Sequence, residues 1–167
     1  MRRISDCVDG SLVWEKTSWR RKDYVLDCDG EDVATFRFQR LFGSLARGES
    51  AEGCWTFQQV GLMRRRTVVR ECGDERDVAV FRNNWWTFGG TVELSTGERY
   101  RITPNFWMTA LTIANEVGDP IVRHHWVSLL KSSRTVEIAP AARSLEELPW
   151  LVMLGWYLLI QRSRRGD

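Results

Sequence analysis

The chain is poor in the residues from which most active centres are built. It has two histidines, the adjacent His124 and His125, far in sequence from all four cysteines. Cys7, Cys28, Cys54 and Cys72 form no C-x-x-C pair, so the usual zinc spacings are absent. No G-x-S-x-G elbow, P-loop or Rossmann glycine motif occurs. The sequence therefore offers no catalytic residue, metal site or cofactor, and an enzyme ranks last among the functional expectations. Lysine is scarce, with three (Lys16, Lys22, Lys131) against 21 arginines. The net charge of +2 does not by itself imply nucleic acid or an anionic membrane, and no nucleic acid is expected as a partner. No apolar stretch follows Met1-Arg2-Arg3, so no signal peptide is expected. The expectation that follows is a cytoplasmic protein with reduced thiols.

What is present is tryptophan and alternation. Nine Trp in 167 residues lean towards strands and half-buried positions in one domain covering residues 1–167. Short apolar runs separated by turn residues predict strands at Leu12–Lys16, Asp23–Asp27, Val33–Phe38, Cys54–Gln59, Thr67–Glu71 and Asp77–Phe81. The same pattern continues at Thr91–Leu94, Arg99–Ile102, Thr109–Ala114, Ile121–His124, Trp126–Leu130 and Thr135–Ile138. Leu41–Gly53, rich in Gly, Ser and Ala, reads as a long loop. Three turns, Asp27-Cys28-Asp29-Gly30, Glu71-Cys72-Gly73-Asp74 and Glu116-Val117-Gly118-Asp119, each lead into a strand and suggest a repeated unit of about 45 residues.

After Ile138 the pattern changes. Ser144-Leu145-Glu146-Glu147 has a capping-box arrangement, and Pro149 suits a first helical turn. Leu148 to Ile160 carries no charge and is apolar on every face, as only a buried or membrane-spanning helix can be. Thirteen residues at about 1.5 Å each reach roughly 20 Å, short of a bilayer core of about 30 Å. The segment is therefore expected to be a core helix, at about 145–161, and not a membrane span. About twelve strands, over about 12–138, close into a barrel too wide for side chains alone to fill, and a helix of about 10–12 Å would fill it. The predicted fold is mainly β: a closed barrel of about twelve strands around a buried C-terminal hydrophobic helix. Gly155 would allow one close approach, and Trp150, Trp156 and Tyr157 would each need a polar partner for N–H or O–H.

A β-meander followed by an acidic turn, a proline and the run Leu148-Pro149-Trp150-Leu151-Val152-Met153-Leu154-Gly155-Trp156-Tyr157-Leu158-Leu159 resembles the Tubby C-terminal-like superfamily. That group includes Tubby-like proteins, phospholipid scramblases and LURP-one-related proteins. The resemblance implies a closed twelve-strand barrel around a hydrophobic helix, and for the Tubby-like members phosphoinositide binding through basic residues. Scramblases carry an acidic calcium-binding segment beside the last helix. Here Ala139 to Glu147 holds only Glu146 and Glu147, so calcium-dependent scrambling is not implied.

The candidate ligand-binding residues are two basic runs, Arg64-Arg65-Arg66 and Arg20-Arg21-Lys22, which suit phosphates or anionic lipid headgroups. On a strand, neighbouring arginines would point to opposite faces, and so would His124 and His125. The expected function is a non-catalytic binding module for anionic lipid headgroups or another phosphorylated ligand. The alternative is a protein-interaction or scaffold domain that meets its partner through Trp85 and Trp86, with Trp107 adding to the aromatic surface.

Overall fold

The computed structural model describes residues 1–17, 23–39, 43–84, 89–126 and 134–164. Twelve strands form an antiparallel meander: β1 (Leu12–Lys16), β2 (Asp23–Cys28), β3 (Glu31–Phe38), β4 (Ala46–Ser50), β5 (Gly53–Val60) and β6 (Arg66–Glu71), then β7 (Asp77–Asn83), β8 (Gly90–Leu94), β9 (Arg99–Pro104), β10 (Ala110–Ala114), β11 (Pro120–Trp126) and β12 (Arg134–Ile138). Each strand pairs with the next, and β1 pairs with β12 through Leu12↔Val136 and Val13↔Thr135, which closes the barrel and leaves no free edge. A 3-10 turn, Pro140–Ser144, then leads into the helix α1 (Leu148–Ser163), which runs through the lumen. We call the end where α1 begins the base, and the end where it finishes the mouth. The N-terminal 3-10 turn, Ile4–Cys7, also packs at the base.

The helix is apolar on all sides because it faces wall on all sides. Every residue from Leu148 to Gln161 except Leu158 is buried. Its aromatics meet β1 to β5: Trp156 stacks on Trp14 at 5.0 Å, and Tyr157 stacks on Phe38 and Phe57, each at 5.9 Å. Close approach is set by two glycines. A Cβ on Gly155 would collide with the His124 ring, and one on Gly48 with the Met153 sulfur. Among the described residues no helix is long and apolar enough to cross a membrane.

Two compensating errors lie behind the expected strand number. The run read as a loop contains β4, built of small residues at Ala46, Gly48 and Ser50, where Gly48 must admit Met153. The strand expected at Trp126–Leu130 is not a separate one. Trp126 ends β11, which pairs directly with β12, and residues 127–130 lie outside the described residues. Ser144 does not cap the helix either. It ends the 3-10 turn, Glu147 precedes α1 with no side-chain cap bond, and Pro149 sits in the first turn. Tyr157 finds its partner, donating to the Ser44 carbonyl at 2.7 Å. The indole N–H of Trp156 is buried with no hydrogen-bond partner among the described residues, while the ring faces stack on Trp14 and meet the Arg134 guanidinium 4.8 Å from the centroid.

The expectation of reduced thiols is overturned. Cys7 bonds Cys28 and Cys54 bonds Cys72, tying the N-terminal turn to β2 and β5 to the turn after β6, both at the base. Nothing in the spacing, 21 and 18 residues, distinguished these pairings from other connectivities. The repeated turns recur as a structural unit. Register shifts fall at Leu26/Asp27, Val69/Arg70 and Ile113/Ala114, each followed by a turn whose glycine has positive φ: Gly30, Gly73 and Gly118. The three sites are four strands apart around the ring, and Cys28 and Cys72 lie in two of them.

Candidate functional site at the barrel mouth

Strand register decides what each arginine of the 64–66 run does. Thr67, Val69, Phe81 and Ala79 are buried and pair across β6 and β7, so their parity faces the lumen. Arg65, just before β6, shares that parity and borders the cavity at its exposed rim, while Arg66 is exposed on the outer face, opposite Arg82. Arg64 is exposed in the β5–β6 turn. Continuing outward across the wall, Arg82 faces Thr91 and Thr91 faces Arg101. Arg64, Arg65, Arg66, Arg82 and Arg101 make no hydrogen bond or ion pair among the described residues. Like charges facing each other without carboxylates leave an unneutralised positive surface. Arg20, Arg21 and Lys22 follow β1 in sequence and lie outside the described residues, as do Trp85 and Trp86.

The mouth also exposes apolar side chains. Leu62 (98%) and Met63 (97%) crown the β5–β6 turn, and Phe106 (87%) and Trp107 (79%) crown the β9–β10 turn. The second turn is held firmly. The Asn105 carboxamide oxygen accepts from the Thr109 and Ala110 amides at 2.7 and 3.0 Å, and its nitrogen donates to the Thr109 hydroxyl at 2.8 Å. Met108 completes the turn at φ 59°, a conformation uncommon outside glycine, and Phe106 and Trp107 meet edge to face at 5.1 Å. A large apolar pair kept in water by a built turn has a use that the isolated fold does not supply.

Between these two turns lies a cavity of about 310 Å³. Its rim carries Arg65, Asn83, Gln161 and Arg162, and its walls include Phe81, Pro104, Leu111, Leu158 and Leu159. Space remains on this side because Trp156 and Tyr157 of the helix turn towards β1 to β5. The helix end adds cations: Arg164 donates to the Gly43 carbonyl at 3.0 Å and lies 4.3 Å from the Phe38 ring centroid. Burial pulls the Arg134 and Arg162 guanidiniums below their ordinary value.

The histidines do not belong to this site. They face opposite ways, as strand alternation requires. His125 lies 3.2 Å from the Glu137 carboxylate on the outer face. His124 is fully buried against Gly155, where loss of hydration, with minor contributions from His125 and Arg134, lowers its pKa to about 3. Sequence reading missed Gln161 and Arg162, which it took only as the end of the helix, and Leu62-Met63. An apolar pair inside a turn before a basic run was the available signal for the last two. Comparison with known protein families, curated proteins and solved structures finds no match to this chain.

Proposed function

We propose that this chain is a non-catalytic binding module that engages anionic lipid headgroups at the barrel mouth, the role its resemblance to the Tubby C-terminal-like superfamily implies. The observation that carries the reading is the coincidence at one end of unpaired arginines and exposed apolar tips. Arg64 and Arg66 supply the charge that attracts an anionic leaflet, worth about 1 kcal/mol for each cation near the surface. Leu62, Met63, Phe106 and Trp107 supply side chains that gain by leaving water, with tryptophan suited to the headgroup region. Sedimentation with phosphatidylserine-containing vesicles tests this. The wild type is expected to co-sediment at low salt and to be released as salt rises, while the Arg64→Ala/Arg65→Ala/Arg66→Ala variant stays in the supernatant. Equal, salt-independent behaviour of both proteins would refute it.

The exposed Phe106–Trp107 pair supports a second reading, a protein-interaction domain. The two readings separate on the Arg64→Ala/Arg65→Ala/Arg66→Ala variant: a protein partner held through Phe106 and Trp107 would be retained while salt-dependent sedimentation was lost.

A further inference from the structure

The cavity inside the mouth is a different feature from the surface around it. Its upper boundary is polar and its depth mostly apolar, with Gln59 and Thr67 the polar exceptions. Arg65 and Asn83 sit one strand pair nearer the mouth than Thr67 and Phe81, and Gln161 and Arg162 sit one helical turn nearer than Leu158. Gln161 is only 7% exposed, and its amide nitrogen is buried with no hydrogen-bond partner among the described residues. Leu158 is the one residue of the Leu148–Gln161 stretch that is not buried, and it borders this space. The volume, about 310 Å³, lies at the lower limit for small-ligand sites. The Arg65 turn also bears Leu62 and Met63, and the Met108 turn also bears Phe106 and Trp107, so apolar tips flank the opening on two sides.

We infer that the cavity binds one single-chain anionic amphiphile, its carboxylate or phosphate held at the rim by Arg65, Arg162 and the Gln161 amide and its aliphatic chain laid along Phe81, Leu111 and Leu158. Guanidiniums match planar and tetrahedral anions with paired N–H groups, whereas Phe81, Leu111, Leu158 and Leu159 offer a chain apolar contact. This goes beyond the surface reading, because it requires no membrane, and the two fail separately.

Calorimetric titration of the full chain without vesicles, using decanoate, decyl phosphate and decanol below their aggregation limits, tests the inference. Saturable one-site binding of at least one anion is expected, with decanol at least about tenfold weaker, the loss of one charge-assisted contact. The two anions distinguish a fatty acid from a phosphorylated lipid as the source. Arg65→Gln should weaken the anion about tenfold. Leu158→Trp should abolish binding by filling the cavity while leaving vesicle sedimentation as in the wild type. Asn83→Trp, at the exposed rim, repeats that test without altering the helix. Absence of saturable anion binding by the wild type would overturn the proposal. So would equal affinity for decanol, or undiminished binding by both filling variants in proteins whose thermal melts show them folded.

Discussion

The two ends of this barrel are built from opposite materials. Every turn at the base carries a carboxylate: Asp29, Glu52, Asp74 with Glu75, Glu98, Glu116 with Asp119, and Glu146 with Glu147. The described turns at the mouth, 43–45, 61–65 and 105–109, carry none. Five arginines towards the base are ion-paired, Arg2–Asp29, Arg70–Asp77, Arg76–Asp74, Arg99–Glu93 and Arg143–Asp9, whereas Arg64, Arg65, Arg66 and Arg82 at the mouth meet no carboxylate among the described residues. Both disulfides are at the base. A net charge of +2 therefore conceals a polarised molecule. Surface ion pairs contribute about 0–1 kcal/mol each, so the base arrangement matters less for stability than for cancelling charge. The lesson is that one end is finished in itself and the other is left to be completed by something else.

The helix links the two ends, and its loss should have the largest effect. It buries thirteen residues, and at about 1.5–3 kcal/mol for each large apolar side chain its removal exceeds a domain's whole stability of about 5–15 kcal/mol. Deleting Leu145–Ile160 should give unfolded or aggregated protein by circular dichroism, and a folded truncation would refute the core assignment. Next come the covalent ties at the base. Replacing Cys7 and Cys28, or Cys54 and Cys72, by serine should lower stability by about 2–4 kcal/mol in urea titrations, with the mouth's binding unchanged in the protein that remains folded. Acid should act through His124. Its folded pKa, about 3, lies below its unfolded value, so the unfolded chain takes up the proton first. Its contribution to stability is therefore present above about pH 6.5 and lost as pH falls towards 3, about 2 kcal/mol between pH 7 and pH 5. A His124→Leu variant should show a flatter pH dependence. Comparable in size is Gly155→Ala, whose methyl would press on the His124 ring and should cost about 1–3 kcal/mol, read as a lower Tm.

The architecture was legible where burial writes a pattern. Val33 to Phe38 alternates because one face meets the helix, and Leu148 to Ile160 is apolar throughout because every face meets the wall. β4 was not legible, since a strand that admits a helix closely is made of small residues and resembles a loop. The mouth was half legible. Arg64, Arg65 and Arg66 stand out as a run, but only the pairing of β6 with β7 shows that Arg65 turns inward while Arg66 stays outside. Gln161 and Arg162 could not be assigned before the helix was threaded through the ring, because their neighbours come from β5 to β10. The disulfides were hidden for the same reason: partners are chosen in space, by strands meeting at the base. Charge polarity needed only the strand order, which sorts the turns into two sets by alternation.

The difference between the ends is tested most directly by a charge-matched pair of variants on phosphatidylserine vesicles. One removes Arg64, Arg65 and Arg66 from the mouth; the other removes Arg70, Arg76 and Arg99 from towards the base, all to alanine. Both lose the same formal charge, so a nonspecific attraction would weaken equally in each. Loss of sedimentation in the mouth variant, with the base variant binding as the wild type does, is the expected result. Equal loss in both, or greater loss in the base variant, would contradict the assignment of the mouth as the binding end.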